Sequence, residues 1–150
     1  MSHYRLSLSS SLDHCCQLRE SIALFARLEG YSDLFVSGLA LTVHEAFVNA
    51  VRHGNRTNPD TVVAITLEIG GSGEKSFVEA RIRDCGDGFD PEEVFAAACS
   101  VERLNLSTGR GLLLMHHFTE YLRVERMDGG CVVVLRYIPC RSISSDSLTS

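Results

Sequence analysis

The sequence has no Cys-x-x-Cys pair, no excess of positive charge and no internal repeat. Six cysteines (Cys15, Cys16, Cys85, Cys99, Cys131 and Cys140) are scattered through 150 residues. That spacing suggests neither a zinc site nor a disulfide framework, and reduced, packed thiols are the expectation. Lys and Arg total 14 against 19 Asp and Glu, giving a net charge of −5 and a pI of about 5.6. Such a chain carries no electrostatic footprint for nucleic acid, so proteins or small molecules are the expected partners. No apolar run is read as approaching the roughly 18 residues of a membrane span, and Met1 to Arg5 lacks the basic start and apolar core of a signal peptide. A cytoplasmic protein with no membrane association is therefore expected. Hydrophobic residues at 45% and charged residues at 22% fit one ordinary globular domain.

Leu39 to Asn55 carries two stripes on one helix. Leu39, Val43, Ala46, Phe47 and Ala50 recur at steps of three and four, as on a helix face packed against a core. Thr42, Glu45, Asn49 and Arg52 form a second, polar stripe. A stripe of this kind reads by itself as a solvated face. Glu45 and Asn49, four apart, nevertheless point a carboxylate and a carboxamide the same way, one turn apart.

Tyr4, Leu6 and Leu8 alternate with polar residues as a first strand. Asp13 is placed to cap a helix from about His14 to Leu28, with Leu18, Ile22, Phe25 and Ala26 facing inward and Gly30 beyond its end. Ser32 or Asp33 caps the next helix, which runs to a stop near Gly54-Asn55, before an Asn58-Pro59-Asp60 turn. Val63 to Ile69 and Val78 to Ile82 alternate about Gly70-Gly71-Ser72-Gly73 as a hairpin, and Leu122–Val124 with Cys131–Ile138 makes another across Asp128-Gly129-Gly130. Between the hairpins, Asp90-Pro91-Glu92-Glu93 starts a short helix, Cys99 to Thr108 reads as a mobile loop, and a helix opens at Gly109-Arg110-Gly111 with Leu112, Leu113, Met115 and Phe118 as apolar contacts. One domain over residues 1–139 and a polar, disordered tail over 140–150 are expected. This order gives a two-layer α/β sandwich: a mixed, mostly antiparallel sheet with helices on one face.

Asp84-Cys85-Gly86-Asp87-Gly88 follows a strand. An ionised aspartate only accepts hydrogen bonds, which suits the amino group of an adenine, and glycines let backbone approach a ring; a plain turn is the other reading. Gly109-Arg110-Gly111 precedes a helix, where backbone N–H groups and the helix dipole favour phosphate and Arg110 could add charge; a flexible helix entry is the other reading.

In order and spacing, Glu45-x-x-x-Asn49, Asp84-x-Gly86-x-Gly88 and Gly109-x-Gly111 resemble the nucleotide-binding motifs of the GHKL ATPase superfamily, whose Bergerat fold is the same helix-covered sheet. Asn49 to Asn55 and Gly109 to Met115 are similar to the anti-sigma-factor serine kinase branch. The resemblance covers roughly residues 5 to 138. Sensor histidine kinases share these motifs but carry a phospho-accepting helix hairpin upstream, for which no room is expected here.

The resemblance implies ATP and Mg²⁺ as cofactors, with Asn49 as the metal ligand and Glu45 as the general base. Asp84, Gly86 and Gly88 would receive the adenine, and Gly109, Arg110, Gly111 and Leu112 the phosphates, under a lid from Cys99 to Thr108. His53 either faces the phosphates or makes a structural hydrogen bond near the helix end. His116, His117 and Arg103 read as surface or packing residues. The implied function is a protein serine kinase, a homodimer, that holds a sigma factor inactive and phosphorylates a serine of a STAS-domain antagonist. The alternatives are an ATP-binding switch that transfers no phosphate, against which Glu45 argues, an ATPase or kinase component of another partner-switching pathway, and a structural domain whose motifs are coincidental turns.

Overall fold

The computed structural model describes residues 2–86 and 119–139. Among the described residues, five strands form one sheet in the order β1-β2-β3-β5-β4: β1 (Ser2–Ser9), β2 (Val62–Gly70), β3 (Phe77–Asp84), β4 (Tyr121–Met127) and β5 (Gly130–Tyr137). Every neighbouring pair is antiparallel. Two helices, α1 (Cys15–Leu28) and α2 (Asp33–Asn49), supply the second layer, as the alternating pattern predicts.

Register explains the core. Ile65, Ile82, Val133 and Val124 lie across from one another, as do Leu67, Ala80, Leu135 and Leu122, so one parity of each strand faces the helices. Leu18, Ile22 and Ala26 of α1, with Leu39, Val43, Ala46 and Phe47 of α2, bury themselves on that face. The opposite parity is mostly polar, apart from the buried Val132 and Val134, and is knitted together. The Glu79 carboxylate accepts from Arg81 at 3.0 Å, Arg136 at 3.2 Å and the Tyr121 hydroxyl at 3.1 Å.

Three expectations are corrected. Ser11, not Asp13, makes the first cap: its hydroxyl accepts from the Asp13 N–H at 3.2 Å, closing a 3₁₀ turn over Leu12–His14, and α1 starts at Cys15 with no side-chain cap. Asp33–Gly54, α2 with the turn that follows it, is 22 residues long and apolar enough to cross a bilayer, although no such run was expected. Its burial is that of a core helix, since 72% of the apolar window lies inside the protein. The polar stripe of α2 is not a solvated face, because Thr42 and Asn49 are fully buried. Thr42 donates to the Gly38 carbonyl at 2.9 Å and pairs with the Tyr137 hydroxyl across the layers.

The Ser32 hydroxyl caps α2, accepting from Phe35 N–H at 3.3 Å. The helix at Asp90-Pro91, the loop from Cys99 to Thr108, the helix after Gly109 and the tail fall outside the described residues.

Candidate functional site

The backbone changes pitch where the polar stripe ends. After Asn49 the chain makes one turn of π-helix over Ala50–Gly54, and the Asn55 N–H donates to the Ala50 carbonyl, five residues back, at 2.8 Å. Such widened turns occur mostly as single turns within helices, frequently at functional sites. The chain then reverses through two non-glycine residues in the left-handed region, Arg56 at φ 51° and Thr57 at φ 58°. Thr57 N–H returns to the Val51 carbonyl at 2.7 Å.

This turn is pressed onto the end of β3. A Cβ on Gly54 would stand 2.3 Å from the carboxylate of Asp84, and one on Gly86 would stand 1.7 Å from the Gly54 carbonyl oxygen. Only glycines allow the π turn and the strand end to approach this closely. The structure thereby brings the Asn49 helix end and the Asp84-Cys85-Gly86 segment together, from positions some thirty residues apart in sequence.

Asp84 is fully buried. Its Oδ1 accepts the Gly86 N–H at 2.8 Å, while Oδ2 has no partner among the described residues. Burial pushes the carboxyl above its ordinary range, and the Gly86 N–H pulls it partly back. Asn49 is more exceptional, because both Nδ2 and Oδ1 are buried and neither has a partner among the described residues. A buried polar group left unpaired costs on the order of 1–3 kcal/mol. Such a group fits a ligand that supplies the missing contacts. Glu45, one turn earlier, keeps its side chain 14% exposed, with Oε1 at 3.6 Å from His44 Nδ1, beyond hydrogen-bond reach. It therefore borders the buried amide and still meets solvent.

His53 lies exposed on the π turn. Gly88, Gly109, Arg110, Gly111 and Leu112 fall outside the described residues.

In the sequence Asn55 reads as part of a helix stop and as the last residue of the Asn49 to Asn55 stretch, with no role of its own in the site. It is buried at 6% exposure and joins three segments. Its Oδ1 accepts from the Cys85 N–H at 2.7 Å; its Nδ2 donates to the Ser10 hydroxyl at 2.7 Å and to the Val62 carbonyl at 3.3 Å. An asparagine after a glycine is the ordinary signature of a helix end, so no local signal marks it out.

The histidine kinase-like ATPase domain family matches residues 8–137. The chain is 34% identical to the anti-sigma F factor of Priestia megaterium over 88 residues, 55% of each chain. It is 28% identical to the anti-sigma F factor of Heyndrickxia coagulans over 103 residues, 67% of this chain and 68% of that one. With the serine-protein kinase RsbW of Bacillus subtilis (strain 168) it shares 24% identity over 136 residues, 87% of this chain and 82% of the relative. The match to the first of these spans about half of that relative's length. Among solved structures, the RsbU and RsbW domains of Rv1364c from Mycobacterium tuberculosis are similar with a TM-score of 0.61 and 16% identity, over 91% of this chain and 32% of that one. The histidine kinase domain of the Erythrobacter litoralis EL346 blue-light activated histidine kinase follows with a TM-score of 0.50 and 15% identity, over 90% of this chain and 63% of that one. At those identities the likeness is one of fold.

Proposed function

This chain belongs to the histidine kinase-like ATPase domain family, and from that premise we propose that it is an ATP-dependent protein serine kinase of the anti-sigma type. In this reading it holds a sigma factor inactive and phosphorylates a serine on a STAS-domain antagonist, acting in the cytoplasm as a homodimer. The observation that carries the proposal is the buried amide of Asn49, unpartnered among the described residues, beside a π turn that abuts the buried Asp84 carboxylate. A bound nucleotide would supply what these groups lack.

Asp84 Oδ2 would accept from the adenine amino group, with Gly86 leaving the ring room. Asn49 Oδ1 suits a hard cation that prefers oxygen ligands and would hold Mg²⁺. The metal, when bound, neutralises phosphate charge. Glu45, with one side open to solvent, would take the proton of an incoming serine hydroxyl as the new O–P bond forms and the bond to the ADP oxygen breaks. Gly109 to Leu112 would line the phosphates.

Calorimetry of ATP binding with and without Mg²⁺, on wild type and on Asp84→Asn, tests the site before any partner is in hand. Mg²⁺-dependent binding weakened by Asp84→Asn supports it, and no binding at millimolar ATP overturns it. Phosphate transfer from ATP to a STAS-domain serine, lost in Glu45→Ala, separates a kinase from a nucleotide-binding switch.

A further inference from the structure

We propose that Asn55 is the positioning residue for Asp84, the bracket that holds the strand end in the one geometry from which its carboxylate can receive a base. The proposal rests on the nucleotide-binding reading of the site. Asp84 reaches the pocket only through the conformation of the Asp84-Cys85-Gly86 backbone. Its Oδ1 is fixed by the Gly86 N–H, and the peptide between them is fixed by the Cys85 N–H donating to Asn55 Oδ1. Asn55 is in turn the residue after Gly54, whose backbone carries the contact with Asp84 itself. One side chain therefore ties the two halves of the site from the position where they touch.

The amide of Asn55 can stand only one way round. Cys85 N–H can only donate and the Val62 carbonyl can only accept, so Oδ1 must face the first and Nδ2 the second. The chain of donors continues consistently. Asn55 Nδ2 donates to Ser10 Oγ, Ser10 Oγ donates to Thr61 Oγ1 at 2.9 Å, and Thr61 Oγ1 donates to the Asn58 carbonyl at 2.6 Å. Each hydroxyl gives its one proton once. Asn55 is thereby locked to β1's end, to the loop after the π turn and to the start of β2, and it transmits that rigidity to Cys85. Because the network is directional and the Asn55–Ser10 bond at its centre is buried, its members act as a unit.

The test compares Asn55→Ala, Asn55→Asp and Ile69→Val for ATP affinity and for amide hydrogen exchange at Cys85 and Gly86. Ile69 pairs with Ser2 and Val78 at the other end of the sheet, roughly 20 Å away at the strand rise per residue, so it supplies a loss of stability without touching the bracket. Asn55→Ala is expected to weaken ATP at least tenfold and to speed exchange at Cys85 and Gly86. Asn55→Asp keeps the acceptor for Cys85 N–H and is expected to retain affinity within about threefold of wild type, although it melts lower through repulsion from the Val62 carbonyl. Ile69→Val is expected to lower the melting temperature and leave both readouts unchanged. Equal losses in the Ala and Asp variants, unchanged affinity in Asn55→Ala, or the same loss in Ile69→Val would each overturn the positioning role. Should Asn55→Ala fail to fold, Ser10→Ala removes one acceptor of Nδ2 and is expected to show a smaller loss in the same direction; no loss overturns the proposal. Failure of wild type to bind ATP would instead overturn the function reading and remove the proposal's premise.

Discussion

Gly54 and Asp84 touch so closely that no side chain fits between them: a Cβ on Gly54 would lie 2.3 Å from both the carboxylate carbon and Oδ2. The helix end and the strand end are registered by this contact, and three of the expected outcomes below depend on it or on its neighbours.

Gly54→Ala is expected to displace the Asp84 carboxylate. Overpacking of this kind costs about 1–3 kcal/mol of stability. ATP affinity should fall by tenfold or more, measured by calorimetry beside a melting curve. An Ala variant that melts lower yet binds ATP as tightly as wild type would separate Asp84 from nucleotide recognition.

Asp84 should make stability depend on pH in an unusual direction for a carboxylate. Burial raises its pKa above the ordinary 3.8, so the folded protein holds the proton more tightly than the unfolded chain does. The stability this gives is present below 3.8 and is lost as pH rises through the folded-state value. Asp84→Asn, which does not titrate, should therefore gain on wild type as pH rises above 3.8 in ligand-free denaturant melts. A difference that stays flat, or runs the other way, would show that the burial is relieved in solution.

Asn49→Ala should abolish Mg²⁺-dependent ATP binding while changing ligand-free stability by only about 1 kcal/mol, because no internal hydrogen bond to Asn49 is lost among the described residues. Glu45→Gln should do the reverse in function, sparing ATP affinity and removing phosphate transfer. Binding isotherms and a transfer assay on the same two proteins check both. A fully active Glu45→Gln would take Glu45 out of the chemistry.

Thr57→Gly should stabilise the fold by about 1 kcal/mol, since a β-branched residue at φ 58° pays a left-handed penalty that glycine does not. Thermal melting reads it directly. A drop instead would mean that the Thr57 side chain compensates for its backbone.

The motifs were legible because each depends on residue type at short range. Glu45 and Asn49 share a face at a spacing of four, and Asp84 stands at the end of an alternating strand, so helix and strand periods alone place them. Strand alternation likewise gave the core: Ile65, Leu67, Ala80 and Ile82 are the inward residues in both pattern and structure. Thr42 and Asn49 were harder, because polarity reads as exposure until something covers it. The cover is Tyr137 for Thr42, a residue 95 positions away whose hydroxyl the helix cannot anticipate. The cap at Ser11 was missed for a smaller reason: a short 3₁₀ turn precedes α1 and took the serine.

Among the described residues the sequence by itself determined which segments are helix or strand, and it named the residues chemically able to serve, since both follow from side-chain identity and local period. Only the tertiary structure decided that Asn55 brackets Cys85, that Gly54 must be glycine because Asp84 lies against it, and that Asn49 is buried without a partner among the described residues. These are relations between segments brought together by sheet register and helix packing. Hydrogen-bond satisfaction and steric exclusion act at distances of about 3 Å, and no local pattern encodes which distant atoms will stand that close.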